Sequence, residues 1–492
     1  MDSSKPGKKP GHKSGRPDGA GYRYGIPKIT LLIVLFAAGL THWLLFFNYG
    51  KISFNAHDWQ KEYTYYSILQ EAIKTGTIPY HVAINFHGTN RFLALPETNM
   101  SPQILLLPLM KVGRFVLVNM LILYSVGFAG CLLIMRRYRL SILPFTLLFL
   151  LFNFNGHLTS HIGVGHSMWG AYFLLPFFFL FLLDMVEGKS TRTTPIKMAF
   201  TLFFIMLQGG LHMYVWALTF LILLLIFNLK QLRPIILSIG FSALLSAFRL
   251  LPAAFALVGR KERFIWSYPT LRDLVDSLIT IRQQTPERLV PWGTVGWWEY
   301  DIYVGIIGLA FILWFGVVSR FSKAPDLEQH KYKAFDLPIL IMGTLSLSYF
   351  HAFLTRVPFP LVRSERVATR LVVLPLILLA ILASIRFNDV LNRAKRGIKF
   401  KIAAIVGVAV MSLGFVDHSY LWSVVRLERV FRSRTPDLSV PDIITIQDGF
   451  YKTLLRISAL TSAVGVAFLL CLVVRYRSRG PQRSQTSQSR GG

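Results

Sequence analysis

Asp58 is the residue in this sequence best suited to acid–base chemistry. It lies in the polar and aromatic segment NAHDWQKEYTYYSILQEAIKTGTIPYH (55–81), next to Trp59. A carboxylate in such a place can act as a general base or hold a metal ion. Asn55 with Asp58 three residues later also resembles a helix capping box, in which the carboxylate would only complement the helix dipole. Asp58 is therefore the catalytic and metal-binding candidate, and Glu62 is a substrate-binding candidate.

Histidines form the second group of candidates. In NGHLTSHIGVGH (155–166), His157 and His161 share one face of a helix at i,i+4, and His166 follows a Gly-Val-Gly turn. This spacing suits ligation of a metal by two histidines, but the Glu that follows the first His in zinc proteases is absent. The alternative is binding to backbone, lipid or sugar hydroxyls. The same alternative applies to His212 in QGGLHMY, and all four histidines are substrate-binding candidates.

Four arginines lie where the charge pattern predicts the outer side of a membrane. Arg363, Arg366 and Arg370 belong to TRVPFPLVRSERVATR (355–370), where an apolar segment begins, and Arg249 belongs to AFRLLPA. Arginine is costly at that depth unless it is paired or bound to phosphate, which its planar fork fits. Snorkelling of the side chain to the lipid head groups explains one such residue more readily than several. These arginines are therefore candidate phosphate ligands.

Tryptophans precede two acidic residues in the segment PWGTVGWWEYDIYVG. Trp292, Trp297 and Trp298 stand before Glu299 and Asp301. An aromatic belt that anchors the next membrane span accounts for most of these tryptophans. Stacking of a sugar on a tryptophan beside a carboxylate is the functional alternative. Glu299 is accordingly a further substrate-binding candidate.

Two helices in the loops must position these side chains. Apolar residues recur at helical spacing from 58 to 74, and Gly76 with Pro79 beyond it is typical of a helix end. In the middle loop Thr270 and Asp273 form a capping box in front of an apolar stripe. We expect both helices to lie in the interface between membrane and water.

The composition is that of a membrane protein. Of the 492 residues, 53% are hydrophobic and 16% are charged, against about 25% charged in ordinary globular proteins. The mean hydropathy is +0.48. The sequence predicts an all-α polytopic membrane protein with about 12 transmembrane helices in residues 29–474. The predicted spans are 29–49, 114–135, 141–155, 168–186, 198–214, 213–228, 235–258, 302–319, 337–354, 367–386, 402–417 and 453–474.

The net charge of +29 indicates orientation. About 30 of the 53 basic residues fall in alternate loops and in the two termini, as the positive-inside rule requires if both termini are cytoplasmic. We therefore predict a multi-pass protein of the plasma membrane, with disordered basic cytoplasmic ends at 1–28 and 475–492. No soluble region remains to bind nucleic acid. The long loops 50–102, 259–301 and 418–452 would then face the outside, where a site is expected.

In this order the motifs resemble the GT-C superfamily of integral-membrane glycosyltransferases, above all its multi-pass YfhO-like group. The similarity extends from about 29 to 386 and rests on short motifs, from EAIKTGTIPYHVAINFHGTNR and NMSPQILLLPL to VPFPLVRSERVATR. Its matching positions in the first loop are Gly76, Pro79, Gly88, Ser101 and Pro102. Unlike many members, the chain carries a lone Asp in HDW rather than an Asp-x-Asp or Glu-x-Asp pair.

The resemblance implies a GT-C-like fold and an enzyme. Such an enzyme takes a sugar from a polyprenyl-phosphate donor at the outer membrane face and gives it to a glycan or lipid acceptor. Asp58 would activate the acceptor or bind a divalent cation, Mg²⁺ or Mn²⁺, and the external arginines would hold the donor phosphate.

A transporter or a flippase for lipid-linked glycans is the alternative function, and a non-catalytic scaffold is a third. Transporters of about 12 spans usually carry ionisable residues at the span centres and an internal repeat. This sequence has few of the former and no convincing repeat. The glycosyltransferase hypothesis is therefore preferred.

Overall fold

The computed structural model shows a bundle of α-helices. It describes residues 26–257, 266–282, 296–320, 329–356, 366–393, 398–430 and 440–478. The first ten helices are α1 (Ile26–Phe46), α2 (Trp59–Thr75), α3 (Val112–Tyr138), α4 (Ile142–Asn153), α5 (Gly156–Gly163), α6 (Leu175–Val186), α7 (Thr194–Leu207), α8 (Leu211–Phe227), α9 (Leu232–Leu245) and α10 (Ala247–Leu257). The others are α11 (Leu271–Ile279), α12 (Gly305–Phe311), α13 (Asp336–Leu345), α14 (Ser348–Arg356), α15 (Val373–Arg393), α16 (Ile398–Trp422), α17 (Val424–Val430) and α18 (Gly449–Ser478).

Helices occupy every apolar segment that the sequence predicts to cross a membrane. Within the described ranges, seven helical stretches are long and apolar enough to do so. The pair Leu211–Phe227 and Leu229–Leu245, bent by 120°, passes the same test as one broken span. The all-α prediction is confirmed, and the helices have the composition of a multi-pass membrane protein. A count of about 12 spans stays a prediction, because α7, α10 and α12 are shorter.

The predicted disordered ends lie mostly outside the described residues. Residues 1–25 and 479–492 are in that part of the chain. The predicted boundaries at 28 and 475 differ slightly from the helices, since α1 begins at Ile26 and α18 continues to Ser478.

Both loop helices form where the sequence predicts them. Helix α2 ends at Gly76, which adopts the left-handed conformation (φ 67°) that favours glycine. At the start of α11, the Thr270 hydroxyl accepts from the Asp273 N–H, and the Asp273 carboxylate accepts from the Thr270 N–H at 2.9 Å. The sequence signals at the end of α2 and at the start of α11 are therefore sufficient to predict both helices.

A small antiparallel sheet, which the sequence analysis did not predict, joins two of the long loops. Its strands are β1 (His81–Phe86), β2 (Thr89–Arg91) and β3 (Ile443–Ile444), in the order β2-β1-β3. The turn between β1 and β2 has positive φ at His87 and Gly88, as a two-residue hairpin of type I′ requires. The sheet thus ties loop 50–102 to loop 418–452.

Candidate functional site

Asp58 lies at the start of α2 with its carboxylate in a polar cluster. Its Oδ2 accepts from Lys61 Nζ and from His166 Nε2, each at 3.2 Å. Asp58 is itself the residue before the first turn of α2 and makes no side-chain capping bond, so the capping box with Asn55 is not formed. The side chain is 45% exposed, which makes this carboxylate accessible to a substrate.

A close backbone contact brings Asp58 to His166. The Asp58 N–H donates to the Val164 carbonyl at 3.0 Å, and the Trp59 indole donates to the Gly163 carbonyl at 2.8 Å. Gly165, which lies between Val164 and His166, has φ +96°. A Cβ at this position would lie 2.4 Å from the Trp59 backbone nitrogen. Only glycine therefore fits at 165, and the Gly-Val-Gly turn sets the distance between the two side chains.

The histidines continue the cluster into the protein. His166 Nδ1 lies 2.7 Å from His161 Nδ1, so one of these nitrogens carries the proton that they share. His161 is fully buried, and its Nε2 lies 3.8 Å from Glu299 Oε2. Among the described residues this nitrogen has no hydrogen-bond partner.

Glu299 and Arg370 form a buried ion pair at the inner end of the cluster. Arg370 donates from Nε and from a terminal nitrogen to the two carboxylate oxygens, at 2.9 and 2.6 Å. Both side chains are at most 7% exposed. A bidentate geometry of this kind compensates for the loss of water around the two charges.

Trp169 lies at the centre of the cluster and contacts several of the candidate residues. Its indole N–H donates to His157 Nε2 at 2.8 Å, and its ring stacks on His161 at 4.3 Å between centroids. The Arg370 guanidinium carbon lies 4.8 Å from the ring centroid, and the His212 ring lies 5.8 Å from it. One buried indole therefore connects most of the substrate-binding candidates.

Two of the predicted arginines do not join this cluster. Arg249 is buried and donates to the carbonyls of Leu95 and Thr98, at 2.7 and 2.9 Å. These contacts hold the chain in place and account for the burial of Arg249 without a ligand, and a phosphate-binding role for Arg249 stays a prediction. Arg366 is half-buried four residues before Arg370, and its carbonyl accepts from the Trp266 N–H. Arg363 lies outside the described residues.

Lys61 and Glu97 belong to the cluster although the sequence analysis did not select them. Lys61 Nζ lies 3.1 Å from Glu97 Oε2, and Glu97 also pairs with His87. Burial opposes the charge on each, yet their mutual attraction raises the pKa of Lys61 and lowers the pKa of Glu97 from their ordinary values. Lys61 follows Asp58 by three residues, so helical spacing alone is a signal that could have selected it.

The electrostatic environment keeps Asp58 ionised. Burial raises the pKa of its carboxyl, but the hydrogen bond from His166 and the charge of Lys61 outweigh burial and hold that pKa below its ordinary value. For the neighbouring His57, burial lowers the pKa to about 4, so its ring is neutral at physiological pH. The cluster therefore presents a carboxylate beside a neutral imidazole.

Asp301, two residues beyond Glu299, has a structural environment. Its Oδ2 accepts from His418 Nε2 and from the Trp422 indole, both at 2.8 Å, and its Oδ1 accepts from the Tyr303 N–H. The carboxylate is fully buried. These contacts anchor the end of α16 to the segment that carries Glu299.

The donor set suits Mg²⁺ or Mn²⁺ poorly. The group with ligand-like spacing is His161, His166 and Glu299, whose ligand atoms lie within 4.8 Å of one another. Two imidazoles and one carboxylate are typical of Zn²⁺, whereas Mg²⁺ and Mn²⁺ favour oxygen ligands. Asp58 is outside this group, and its Oδ2 already pairs with the ammonium of Lys61.

Glu62 is buried one turn after Asp58 and accepts from the Ser167 hydroxyl. Burial raises the pKa of Glu62 to about 8, from 4.5. Between these pH values the folded protein holds a proton that the unfolded chain releases. The contribution of Glu62 to the free energy of unfolding should therefore be greatest below pH 4.5 and fall as the pH rises towards 8, by up to about 1.4 kcal/mol per pH unit.

The Glu62→Gln variant should lose this pH dependence. We expect its unfolding midpoint to change less than that of the unmodified protein between pH 5 and 8, measured by thermal unfolding in detergent. Titrating groups remote from Glu62 contribute equally to both proteins, so the difference reports on Glu62 and the charges beside it. Glu71→Gln, an exposed position on the same helix, is the control and should keep the dependence. If the unfolding midpoints of Glu62→Gln and of the unmodified protein depend on pH in the same way, Glu62 is ionised in the folded protein.

No family model, curated protein or solved structure matches the chain.

Proposed function

We propose that this protein is a membrane glycosyltransferase. It moves a sugar from a polyprenyl-phosphate donor to a glycan or lipid acceptor at the extracytoplasmic face of the plasma membrane. The observation that carries the proposal is the convergence of an accessible carboxylate, Asp58, with His166, His161, Glu299 and Arg370 at one end of an apolar bundle. An exposed base above buried charges, between apolar helices, suits a substrate with a lipid tail and a polar head.

The carboxylate of Asp58 is arranged to accept a proton. Lys61 and His166 both bind Oδ2, and Oδ1 has no hydrogen-bond partner in the described part of the chain. In the reaction an acceptor hydroxyl gives its proton to Asp58 while its oxygen bonds to the anomeric carbon of the sugar. The bond from that carbon to the phosphate oxygen breaks, and polyprenyl phosphate leaves with the electron pair. Fixing one oxygen directs the other at the acceptor.

Cations are required near the leaving phosphate. Lys61 lies beside Asp58, and Arg366 precedes the buried Arg370 by four residues with a half-buried side chain. Arg370 is buried and is held by both oxygens of Glu299, whereas Lys61 is 21% exposed and contacts Asp58 and Glu97 through one oxygen of each. We assign the phosphate to Lys61, with Arg366 from the predicted set as the second cation.

An aromatic surface for the sugar lies next to Asp58. The rings of His57 and Trp298 are in contact at 4.6 Å between centroids, and Trp298 is partly exposed. The two rings meet edge to face, with 62° between their planes, so the partly exposed Trp298 ring is the face that this pair offers. Sugars stack on such faces through their C–H groups, as the alternative interpretation of these tryptophans requires.

The donor lipid should copurify with the protein. We expect mass spectrometry of the gently purified protein to detect bound polyprenyl phosphate or its sugar conjugate, and the variant Lys61→Gln/Arg366→Gln to retain at least tenfold less. The control is Arg136→Gln/Lys399→Gln, which removes two exposed charges at the other end of the bundle. Equal retention by all three proteins would contradict the assigned phosphate ligands, and complete absence of polyprenyl lipids would contradict the donor class.

A further inference from the structure

A basic cavity lies at the end of the bundle opposite to Asp58. Helix α7 spans the distance: its last turn leads to Gly209, where a Cβ would meet the Glu97 carbonyl, and its first turn borders the cavity. The cavity has a volume of about 470 Å³. Its polar lining residues are Ser190, Thr191, Arg192, Lys230, Gln231, Arg233 and Tyr476. The charge pattern predicts that this end faces the cytoplasm.

The cavity holds positive charge without a compensating carboxylate. The exposed residues Arg192, Lys230 and Arg233 line it, and none of the described residues that line it is acidic. Within the described ranges none of the three takes part in an ion pair. Arg192 precedes α7 and Arg233 is in the first turn of α9, so both stand where the helix dipole disfavours a cation. A bound anion would be attracted by the three side chains and by both helix starts.

An apolar groove of about 510 Å³ adjoins the basic cavity. The two share the first turns of α7, because Ile196 and Lys197 line the groove while Arg192 and Pro195 line the cavity. One face of α18 also lines both of them. Every third residue on this face, from 470 to 476, lies first in the groove and then in the cavity. These residues are Leu470 and Val473 in the groove and Tyr476 in the cavity.

We infer that this region is a binding site for an anionic glycerophospholipid of the membrane leaflet at this end. The phosphate head group lies among Arg192, Lys230 and Arg233, and an acyl chain lies in the groove along α18. Charge selects an anionic head group, and the apolar groove selects a lipid over a soluble anion. The inference is independent of the proposed function, since it uses no residue of the Asp58 cluster.

Lipid selectivity tests this site. The protein is equilibrated with equal amounts of phosphatidylglycerol and phosphatidylcholine, and the bound lipids are counted by native mass spectrometry. The unmodified protein should retain the anionic lipid in preference, and Arg192→Gln/Lys230→Gln/Arg233→Gln should lower that preference about tenfold or more. The matched control removes three exposed charges at the same end, Arg136→Gln/Lys399→Gln/Lys401→Gln, and should keep it.

A second variant separates a lipid from a soluble anion. Leu470→Trp narrows the groove without changing the charge of the cavity, so it should weaken retention of phosphatidylglycerol. Inorganic phosphate is titrated in parallel as the head-group probe. If the control triple variant also loses its preference for phosphatidylglycerol, the preference comes from the surface charge of this end in general and not from the cavity. Binding of inorganic phosphate with no lipid preference would show a soluble-anion site. Either result would overturn the inference.

Discussion

Asp58→Asn should lower the turnover number for sugar transfer by about 10²–10⁴-fold. The amide keeps the shape of the carboxylate and can still accept from Lys61 and His166, but it cannot take the proton of an acceptor hydroxyl. Because Asp58 is 45% exposed and the amide oxygen still accepts from both partners, the unfolding midpoint should change little, corresponding to at most about 1 kcal/mol. Initial rates with a radiolabelled polyprenyl-phosphate sugar measure the effect.

Glu71→Gln is the matched control for this variant. It removes one carboxylate from the same helix at an exposed position three turns away, and it should retain full activity. An Asp58→Asn protein that is folded and fully active would remove Asp58 from the chemistry. Equal losses in the two variants would attribute the effect to α2 as a whole.

Arg370→Leu should lower the free energy of unfolding by about 3–5 kcal/mol. The substitution leaves the Glu299 carboxylate buried and without the bidentate partner that the structure gives it. The double variant Arg370→Leu/Glu299→Leu removes both charges and should recover most of that loss, since well-packed apolar residues replace a buried ion pair at little cost. Glu299→Leu completes the double-mutant cycle, and denaturant or thermal unfolding of the four proteins in detergent gives the coupling energy.

Arg114→Leu, at an exposed position on α3, serves as the control for adding leucine in place of arginine and should change stability by less than about 1 kcal/mol. If the double variant loses as much as the sum of the two single variants, the Glu299–Arg370 pair contributes no coupling. If Arg370→Leu is as stable as the unmodified protein, the Glu299–Arg370 ion pair does not stabilise the fold around the site.

Features with local signals could be predicted from the sequence. The apolar segments are helical because a long apolar run in a membrane must pair its backbone polar groups within the segment, as a helix does. Helix α2 ends at Gly76 because a left-handed residue favours glycine, and Thr270 with Asp273 satisfies two backbone N–H groups at the start of α11. In each of these places the deciding contacts lie within four residues along the chain.

Features that depend on distant contacts could not be predicted. Strands of six, three and two residues are too short for a periodic pattern, and β3 is more than 350 residues from β1. Arg249 and Arg370 look alike in sequence, as isolated arginines in apolar surroundings. Folding places one on backbone carbonyls and the other on Glu299. Trp169 carries no sequence signal for its central position, because its partners come from separate helices and loops.

The central claim is that the Asp58 cluster transfers a sugar from a lipid donor. Proteoliposomes that contain a radiolabelled polyprenyl-phosphate sugar allow transfer to acceptor and movement of the lipid across the bilayer to be measured in the same sample. We predict acceptor labelling by the unmodified protein, its loss with Asp58→Asn and its retention with Glu71→Gln. Movement of the lipid without labelling of any acceptor would contradict the claim and identify a flippase instead.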